Sequence, residues 1–243
     1  MVKVAEQMEY LNDKYGRDFF WFADDTFNVD RGRLEELCRE IESRGLDVRW
    51  FYAGRVDYLL KHRDLLARMR RDGNVWVQLG VESPNDRNLA YLRKGLTVQQ
   101  IMKAFRLLRE HDIFSMAMFI IGLRTDTAES IRRTVKFARR LDPDFAIFTL
   151  LTPFPGSDLY EEALEKGWIT TQDYSKYDMA HAIMPTETLG VKELQRLYYE
   201  CYRSFYLSPL RIVRGCLFGN EWKRRVWRFM VKLHLKRVLS TLL

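Results

Sequence analysis

Apolar positions along this chain switch period again and again. Val4, Met8, Leu11 and Tyr15 recur near helical spacing before Gly16, and Phe19-Phe20-Trp21-Phe22-Ala23 then runs apolar without a break. The first pattern predicts a helix over 2–15. The second predicts a short strand buried on both faces. Leu34, Leu37 and Ile41 place a helix over 33–44, stopped by Gly45. The same reading gives strands at 48–53, 75–79, 114–121 and 145–148. Helices are expected at 64–71, 98–111, 129–141 and 158–166.

Strands alternating with helices build βαβ units and a parallel α/β sheet. Crossovers of one hand then lay the strands side by side in chain order. The chain opens on a helix, although the repeat is strand-first. That order predicts a partial (β/α)6 TIM-like barrel over 1–169 that lacks its first strand. A closed eight-stranded barrel does not fit, because the strands run out before Gly167. A Rossmann-like sheet remains the alternative, but no GxGxxG follows any strand. Beyond the sheet, 170–207 reads as a lid or surface strap followed by a helix over 191–207. Residues 208–243, entered through Pro209, read as a basic amphipathic helical tail.

At 47% hydrophobic and 14% aromatic, the chain can bury a real core. No apolar run reaches the ~18 residues of a membrane span. Lys3, Glu6 and Glu9 break up the amino terminus, so no signal peptide is expected and a cytoplasmic location is the default. Cys38, Cys201 and Cys216 form neither CxxC nor CxxxCxxC, which fits reduced thiols and predicts no metal site. The net charge of +7 sits in one place: 208–243 carry nine Lys/Arg against the single acid Glu221. The preceding 207 residues hold 31 basic and 32 acidic side chains, so a nucleic-acid footprint on the body is not expected.

Ligands of parallel α/β folds bind at the carboxyl ends of the strands. Here the five expected exits are Asp24-Asp25-Thr26, Gly54-Arg55, Gly80-Val81-Glu82-Ser83, Gly122-Leu123 and Thr152-Pro153-Phe154-Pro155-Gly156. Each has an ordinary reading by itself. Asp24 and Asp25 can start a turn or cap a helix, Arg55 can pair with Asp57, and Ser83-Pro84 can open a helix. Five polar or glycine-bearing exits at one end of one sheet point instead to a mouth for a small polar ligand. Carboxylates there accept from hydroxyl or amino groups, and a guanidinium holds a carboxylate. No GxSxG, HExxH or Walker sequence is present, and the four histidines are scattered, so no catalytic residue is identified.

Taken in order, Phe22-Ala23-Asp24-Asp25-Thr26-Phe27, Gly54-Arg55, Leu79-Gly80-Val81-Glu82-Ser83, Phe119-Ile120-Ile121-Gly122-Leu123 and Leu151-Thr152-Pro153-Phe154-Pro155-Gly156-Ser157 carry a resemblance. Over 2–169 the chain resembles the radical S-adenosylmethionine (radical SAM) domain of the cobalamin-dependent group. That group includes methyltransferases and the anaerobic magnesium-protoporphyrin monomethyl ester oxidative cyclase. The resemblance implies that Asp24 and Asp25 lie near the methionine moiety of S-adenosylmethionine and that Arg55 faces the cofactor. It likewise implies Glu82 and Ser83 at the ribose, Gly122 and Leu123 beside the adenine, and Thr152 and Pro153 along the active-site wall. A 4Fe-4S cluster and, through an N-terminal domain, cobalamin belong to the implied cofactor set, with a small and often hydrophobic substrate.

Two departures stand out. The CxxxCxxC loop is absent, so this chain does not carry the cluster ligands. The family's Pro-Gly-Glu after Gly-Leu is Arg124-Thr125-Asp126, which removes a glycine from the fourth exit. A fragment of a longer enzyme, inactive alone, is therefore expected, with a non-catalytic binding or partner subunit as the alternative. In the tail, Arg224, Arg228, Lys232 and Lys236 make a cationic row opposite Trp222, Val226, Phe229, Met230 and Leu233. That pattern suits a peripheral membrane contact through 221–243, or equally a helix docked on the barrel.

Overall fold

The computed structural model describes residues 1–240, and the side chains of 1–232. Helix α1 (Val2–Tyr15) stops where Gly16 turns left-handed at φ 62°, returning its N–H to Asn12. Strand β1 (Phe19–Phe22) follows, then α2 (Arg31–Ser43), whose cap is Asp30, accepting the Arg33 N–H at 3.0 Å. Next come β2 (Arg49–Gly54), α3 (Val56–Lys61), α4 (Leu66–Arg71), β3 (Asn74–Glu82), α5 (Asp86–Tyr91) and α6 (Val98–Glu110). The sheet is completed by β4 (Phe114–Ile121), α7 (Ala128–Leu141) and β5 (Phe145–Leu150). Helices α8 (Asp158–Glu165), α9 (Val191–Tyr206), α10 (Pro209–Leu217) and α11 (Glu221–Ser240) end the described chain.

All five strands are parallel and lie in chain order, β1-β2-β3-β4-β5. The order never reverses, which sets the sheet apart from the Rossmann alternative. Alternation divides its two faces. One buries Trp50, Tyr52, Val77, Leu79, Phe119, Ile121, Phe148 and Leu150 beneath α2, α6, α7 and α9. The other carries a row in register, Trp21–Phe51–Trp76–Phe114, with ring centroids 4.7–5.9 Å apart. Above that row, toward the strand exits, come Ala53, Gln78, Gly80, Met118, Ile120 and Thr149.

Several expectations need correction. β1 is not buried on both faces: Trp21 is 68% exposed, because the strand is the sheet's edge among the described residues and only its helix-facing side is covered. The helix expected over 64–71 is α4, entered through a 3-10 turn at Arg63–Leu65, and α3 before that turn was not foreseen. α5 was not foreseen, and the helical tail expected from 208 is divided into α10 and α11; α10 begins at Pro209, which suits a first helical position. β3 runs on through Glu82, beyond its expected end at 79.

The tail docks differently from the expected two-sided helix. Lys223 is buried, 3.6 Å from Asp112 and 3.3 Å from Asp144, at the amino ends of β4 and β5. Trp227, one turn on, packs against Gly215 of α10, and Trp222 stacks on Phe19 at 5.1 Å. Phe229, expected on the packed side, is 65% exposed. The side chains of Leu233 and Lys236 lie outside the described residues.

Candidate functional site

At the carboxyl ends of the strands lies a hollow of about 380 Å³, lined by Asp25, Thr26, Arg55, Gln78, Gly80, Glu82, Lys94, Leu96, Met118, Ile120, Thr149 and Met179 among others. Its size and mixed lining suit a small polar ligand. Three exits, those of β1, β2 and β3, bring Asp25, Arg55 and Glu82 to it. The wall between them is the upper part of the sheet face that carries the Trp21–Phe51–Trp76–Phe114 row, where every second residue of β3, β4 and β5 points the same way.

Arg55 is placed by a residue of a different segment. Buried Asn28, in the 3-10 turn after β1, accepts the Arg55 N–H and donates to the Arg55 carbonyl, both at 3.0 Å. This double clamp requires Gly54, where a Cβ would fall 2.6 Å from Asn28 Oδ1. The guanidinium then forks onto Asp57, Nε to Oδ1 at 3.0 Å and Nη2 to Oδ2 at 2.9 Å. Hydrogen bonding to Asp57 raises the guanidinium pKa further. At Asp57 burial opposes ionisation, but the Arg55 pair outweighs it and holds the carboxyl below its ordinary 3.8. The surface pair foreseen for Arg55 therefore exists, and it orients a side chain that also lines the hollow.

Glu82 reaches the hollow through an irregularity. The register of β3 against β4 shifts between Gly80 and Glu82, and Glu82 is left-handed at φ 62°. Such a conformation is costly for a residue with a Cβ and is found where a side chain has to be re-aimed. The carboxylate folds back over Gly80, where a Cβ would sit 2.6 Å from Oε1. It lies 2.6 Å from Lys94 Nζ, whose own carbonyl accepts from Arg55 at 3.4 Å. Loop 92–97 thus ties the second exit to the third.

The remaining expected residues do not line the hollow. Asp24 points to solvent and pairs with Arg33 at 3.0 Å. Ser83 is buried, and the cap of α5 is Asn85 rather than Ser83. Gly122, at φ 82°, and Leu123 each donate a backbone N–H to buried Asp126, at 2.9 and 3.0 Å. Asp126 thereby closes the fourth exit turn without the missing glycine. Thr152 is buried and donates to the Leu150 carbonyl at 3.0 Å, and Pro153 is buried beside it. These two belong to the same end of the sheet but turn away from the hollow.

The segment left open as lid or strap supplies one wall. Met179, left-handed at φ 61°, lines the hollow while its carbonyl accepts the Leu150 N–H at 2.8 Å. Gln195 of α9 brackets the same segment, accepting from Ala182 at 2.8 Å and donating to Ala180 at 2.9 Å. Arg124 holds its far end, with its guanidinium on the Pro185 carbonyl and 3.9 Å from the Trp168 ring.

Two acids (Asp25, Glu82) and two bases (Arg55, Lys94) give the hollow no net charge, and Gln78 and Thr149 add neutral donors and acceptors. That donor set fits a zwitterionic nucleoside-like molecule such as S-adenosylmethionine. An iron–sulfur cluster does not fit the residues present. Cys38, Cys201 and Cys216 lie on α2, α9 and α10, and burial pushes the Cys38 and Cys201 thiols up to about 12. Among the described residues no group of three His, Cys, Asp or Glu side chains is placed to hold a metal ion.

Sequence reasoning missed Asn28, Gln78, Lys94, Met118, Ile120, Thr149 and Met179. Gln78 was visible as the one polar residue inside Val75-Trp76-Val77-Gln78-Leu79. Met118 and Ile120 follow from the alternation of β4 once its inner face is known. Nothing local marks Lys94 or Met179, because loops bring them in.

Comparison with known proteins gives the same direction. Residues 2–138 match the Radical SAM superfamily. The chain is 31% identical to an uncharacterised methyltransferase of Pyrococcus horikoshii, over 87% of this chain and 46% of that protein. It is 34% identical to an anaerobic magnesium-protoporphyrin IX monomethyl ester cyclase of Cereibacter sphaeroides, over 91% of this chain and 35% of that one. The chain thus spans less than half the length of either relative. In fold it is similar to the radical S-adenosylmethionine methyltransferase TsrM of Kitasatospora setae, solved with tryptophan and a SAM analogue. The TM-score there is 0.59 at 23% identity, covering 68% of this chain and 33% of that chain.

Proposed function

The chain belongs to the radical SAM superfamily, and from that premise we propose that its hollow is the S-adenosylmethionine site of an enzyme of the cobalamin-dependent methyltransferase or cyclase type. One observation carries this reading: Asp25, Arg55 and Glu82, far apart in sequence, line one hollow at the strand exits. We read the five strands as part of the family's six-stranded partial barrel, and the substrate as small and hydrophobic, in keeping with the tetrapyrrole named in the cyclase relative.

S-adenosylmethionine, when bound, supplies the family's methyl-transfer and radical chemistry. The chain's own contribution is to bind and orient it. Arg55, aimed by Asn28 and Asp57, holds a carboxylate. Asp25 and Glu82 accept from amino or ribose hydroxyl groups, and Met118 and Ile120 offer the adenine an apolar wall. In this reading the cluster's three thiolates come from outside this chain, which alone does not complete the reaction. A second reading, a cluster-free binding or partner subunit on the same barrel, draws support from the three cysteines lying on separate helices.

Titration calorimetry with S-adenosylmethionine tests the site. Binding is expected, weakened roughly tenfold or more by Arg55→Ala. No heat with the wild-type chain would end the assignment. A CxxxCxxC in the reading frame upstream, with iron–sulfide reconstitution of the extended protein, separates enzyme from subunit.

A further inference from the structure

Helix α10 carries opposite chemistry on its two sides. On the inner side, Arg211 is largely buried, with Nη1 2.8 Å from Asp142 Oδ1 and Nη2 2.7 Å from the Pro143 carbonyl. Gly215 lies so close to the Trp227 indole that no Cβ fits between them. These contacts fix α10 to α11 and to the sheet. On the outer side, Leu210, Val213 and Leu217 follow one helical face and are 78%, 50% and 60% exposed; Phe218, at 66%, extends the row. A single exposed leucine is ordinary. Four large apolar side chains held outward by so short a rigid helix are not.

The charge beside this row is equally specific. Arg224 Nη1 donates to the Gly219 carbonyl at 2.7 Å, and Arg228 Nε to the Cys216 carbonyl at 3.2 Å. Those carbonyls belong to the end of α10 and the turn after it, so both guanidiniums stand next to Leu217 and Phe218. Among the described residues neither meets a carboxylate. They stand in a segment, 208–243, with nine Lys/Arg and one acid.

We infer that Leu210, Val213, Leu217 and Phe218, with Arg224 and Arg228, form a docking face for an anionic phospholipid surface. Apolar side chains entering the acyl boundary beside cations at the phosphates is the pattern of a helix lying in the interface. No described helix is long and apolar enough to cross a membrane, so the face rests on the bilayer. A second copy of this chain is a poorer occupant, since it would bring two strongly basic segments together. The sequence had placed such a contact on the helix over 221–243. The exposed apolar row is on α10, with α11 contributing the cations. This inference does not depend on the S-adenosylmethionine reading.

Co-sedimentation of the whole chain with vesicles decides it. Binding is expected to phosphatidylcholine mixed with phosphatidylglycerol, not to phosphatidylcholine alone, and to weaken with salt. Leu210→Glu with Leu217→Glu should lower the partition at least about tenfold. Arg224→Gln with Arg228→Gln should do so roughly tenfold. All four positions are at the surface, and an unchanged circular dichroism melt confirms that the variants fold. No binding to the anionic vesicles overturns the inference, as does binding that the folded variants share. A concentration-dependent dimer abolished by the leucine variants, without vesicle binding, overturns it in favour of a second copy.

Discussion

The Tyr206 hydroxyl sits against the backbone of Ala146, accepting its N–H at 2.9 Å and donating to its carbonyl at 2.7 Å. Tyr202 repeats this at Phe148, at 3.2 and 2.9 Å. The spacing explains the match. Residues four apart on a helix rise about 6 Å, and alternate residues of a strand about 6.6 Å. Two tyrosines one turn apart on α9 therefore meet two outward-facing peptide units of β5. The Met179 carbonyl takes the next N–H, that of Leu150, at 2.8 Å. This edge of the sheet is satisfied by side chains and a loop instead of another strand, which also removes a template for aggregation.

Removing those hydroxyls should be felt locally. Tyr202→Phe and Tyr206→Phe each strip a part-buried peptide unit of both partners, so each should cost about 1–2 kcal/mol in urea denaturation. Amide exchange at Ala146 and Phe148 should quicken in the matching variant and not in the other. Unchanged exchange at both amides would mean that water serves this edge equally well.

Gly80 should matter to binding more than to folding. Its Cβ in Gly80→Ala would meet Glu82 Oε1 at 2.6 Å and Lys94 Nζ at 3.3 Å, both ends of movable side chains. The carboxylate can swing aside, so stability should change by less than about 1 kcal/mol. S-adenosylmethionine affinity should drop about as far as in Glu82→Ala, since both remove the same acceptor from its place. Wild-type affinity in Gly80→Ala by calorimetry would show that Glu82 takes no part.

Asn28 is expected to govern both properties. Asn28→Ala leaves the Arg55 N–H and carbonyl without partners, which should cost about 1–3 kcal/mol. It also frees the backbone that aims Arg55, so affinity should fall with stability. Asn28→Asp keeps the acceptor and loses the donor, and should lie between. A stable Asn28→Ala variant that still binds would show that Asp57 alone holds Arg55.

How far the sequence could be read follows from how local each cause is. Strand and helix positions came from apolar period, which is local, and Gly16 and Gly45, both left-handed at φ 62°, ended helices through their own backbones. Exit residues could be named because every parallel strand delivers its carboxyl end to the same side. Which of them turn inward could not. Glu82 depends on a bulge against β4, and Arg55 on Asn28 across 27 positions. Thr152 and Gly122 are diverted by hydrogen bonds to Leu150 and Asp126 that no spacing rule announces. α11 was legible as amphipathic, but the buried ion pair of Lys223 with Asp144 reverses the usual rule that lysine faces water.

Asp126 offers a test of the fourth exit through pH. Burial pushes its carboxyl above the ordinary 3.8, and the hydrogen bonds from Ser130, Leu123 and Gly122 only partly pull it back. A raised folded-state pKa means that the protonated carboxyl suits the fold better than the carboxylate does. Its contribution is therefore full below 3.8 and is lost as pH rises through the folded value. Asp126→Asn removes the titration and keeps the geometry. The amide oxygen can accept from Gly122 and Leu123, and the amide nitrogen can donate to Ser130, whose hydroxyl retains the Thr127 carbonyl at 3.0 Å. The stability of the wild type relative to Asp126→Asn should thus be lower at neutral pH than at low pH, the loss beginning as pH rises above 3.8 and ending once the folded value has been passed. Asp126→Ala, which orphans two buried amides, should instead be destabilised by about 2 kcal/mol or more at either pH. Urea midpoints across that range measure both, and a wild-type advantage that grows with pH would show that the turn holds Asp126 as a stabilised carboxylate.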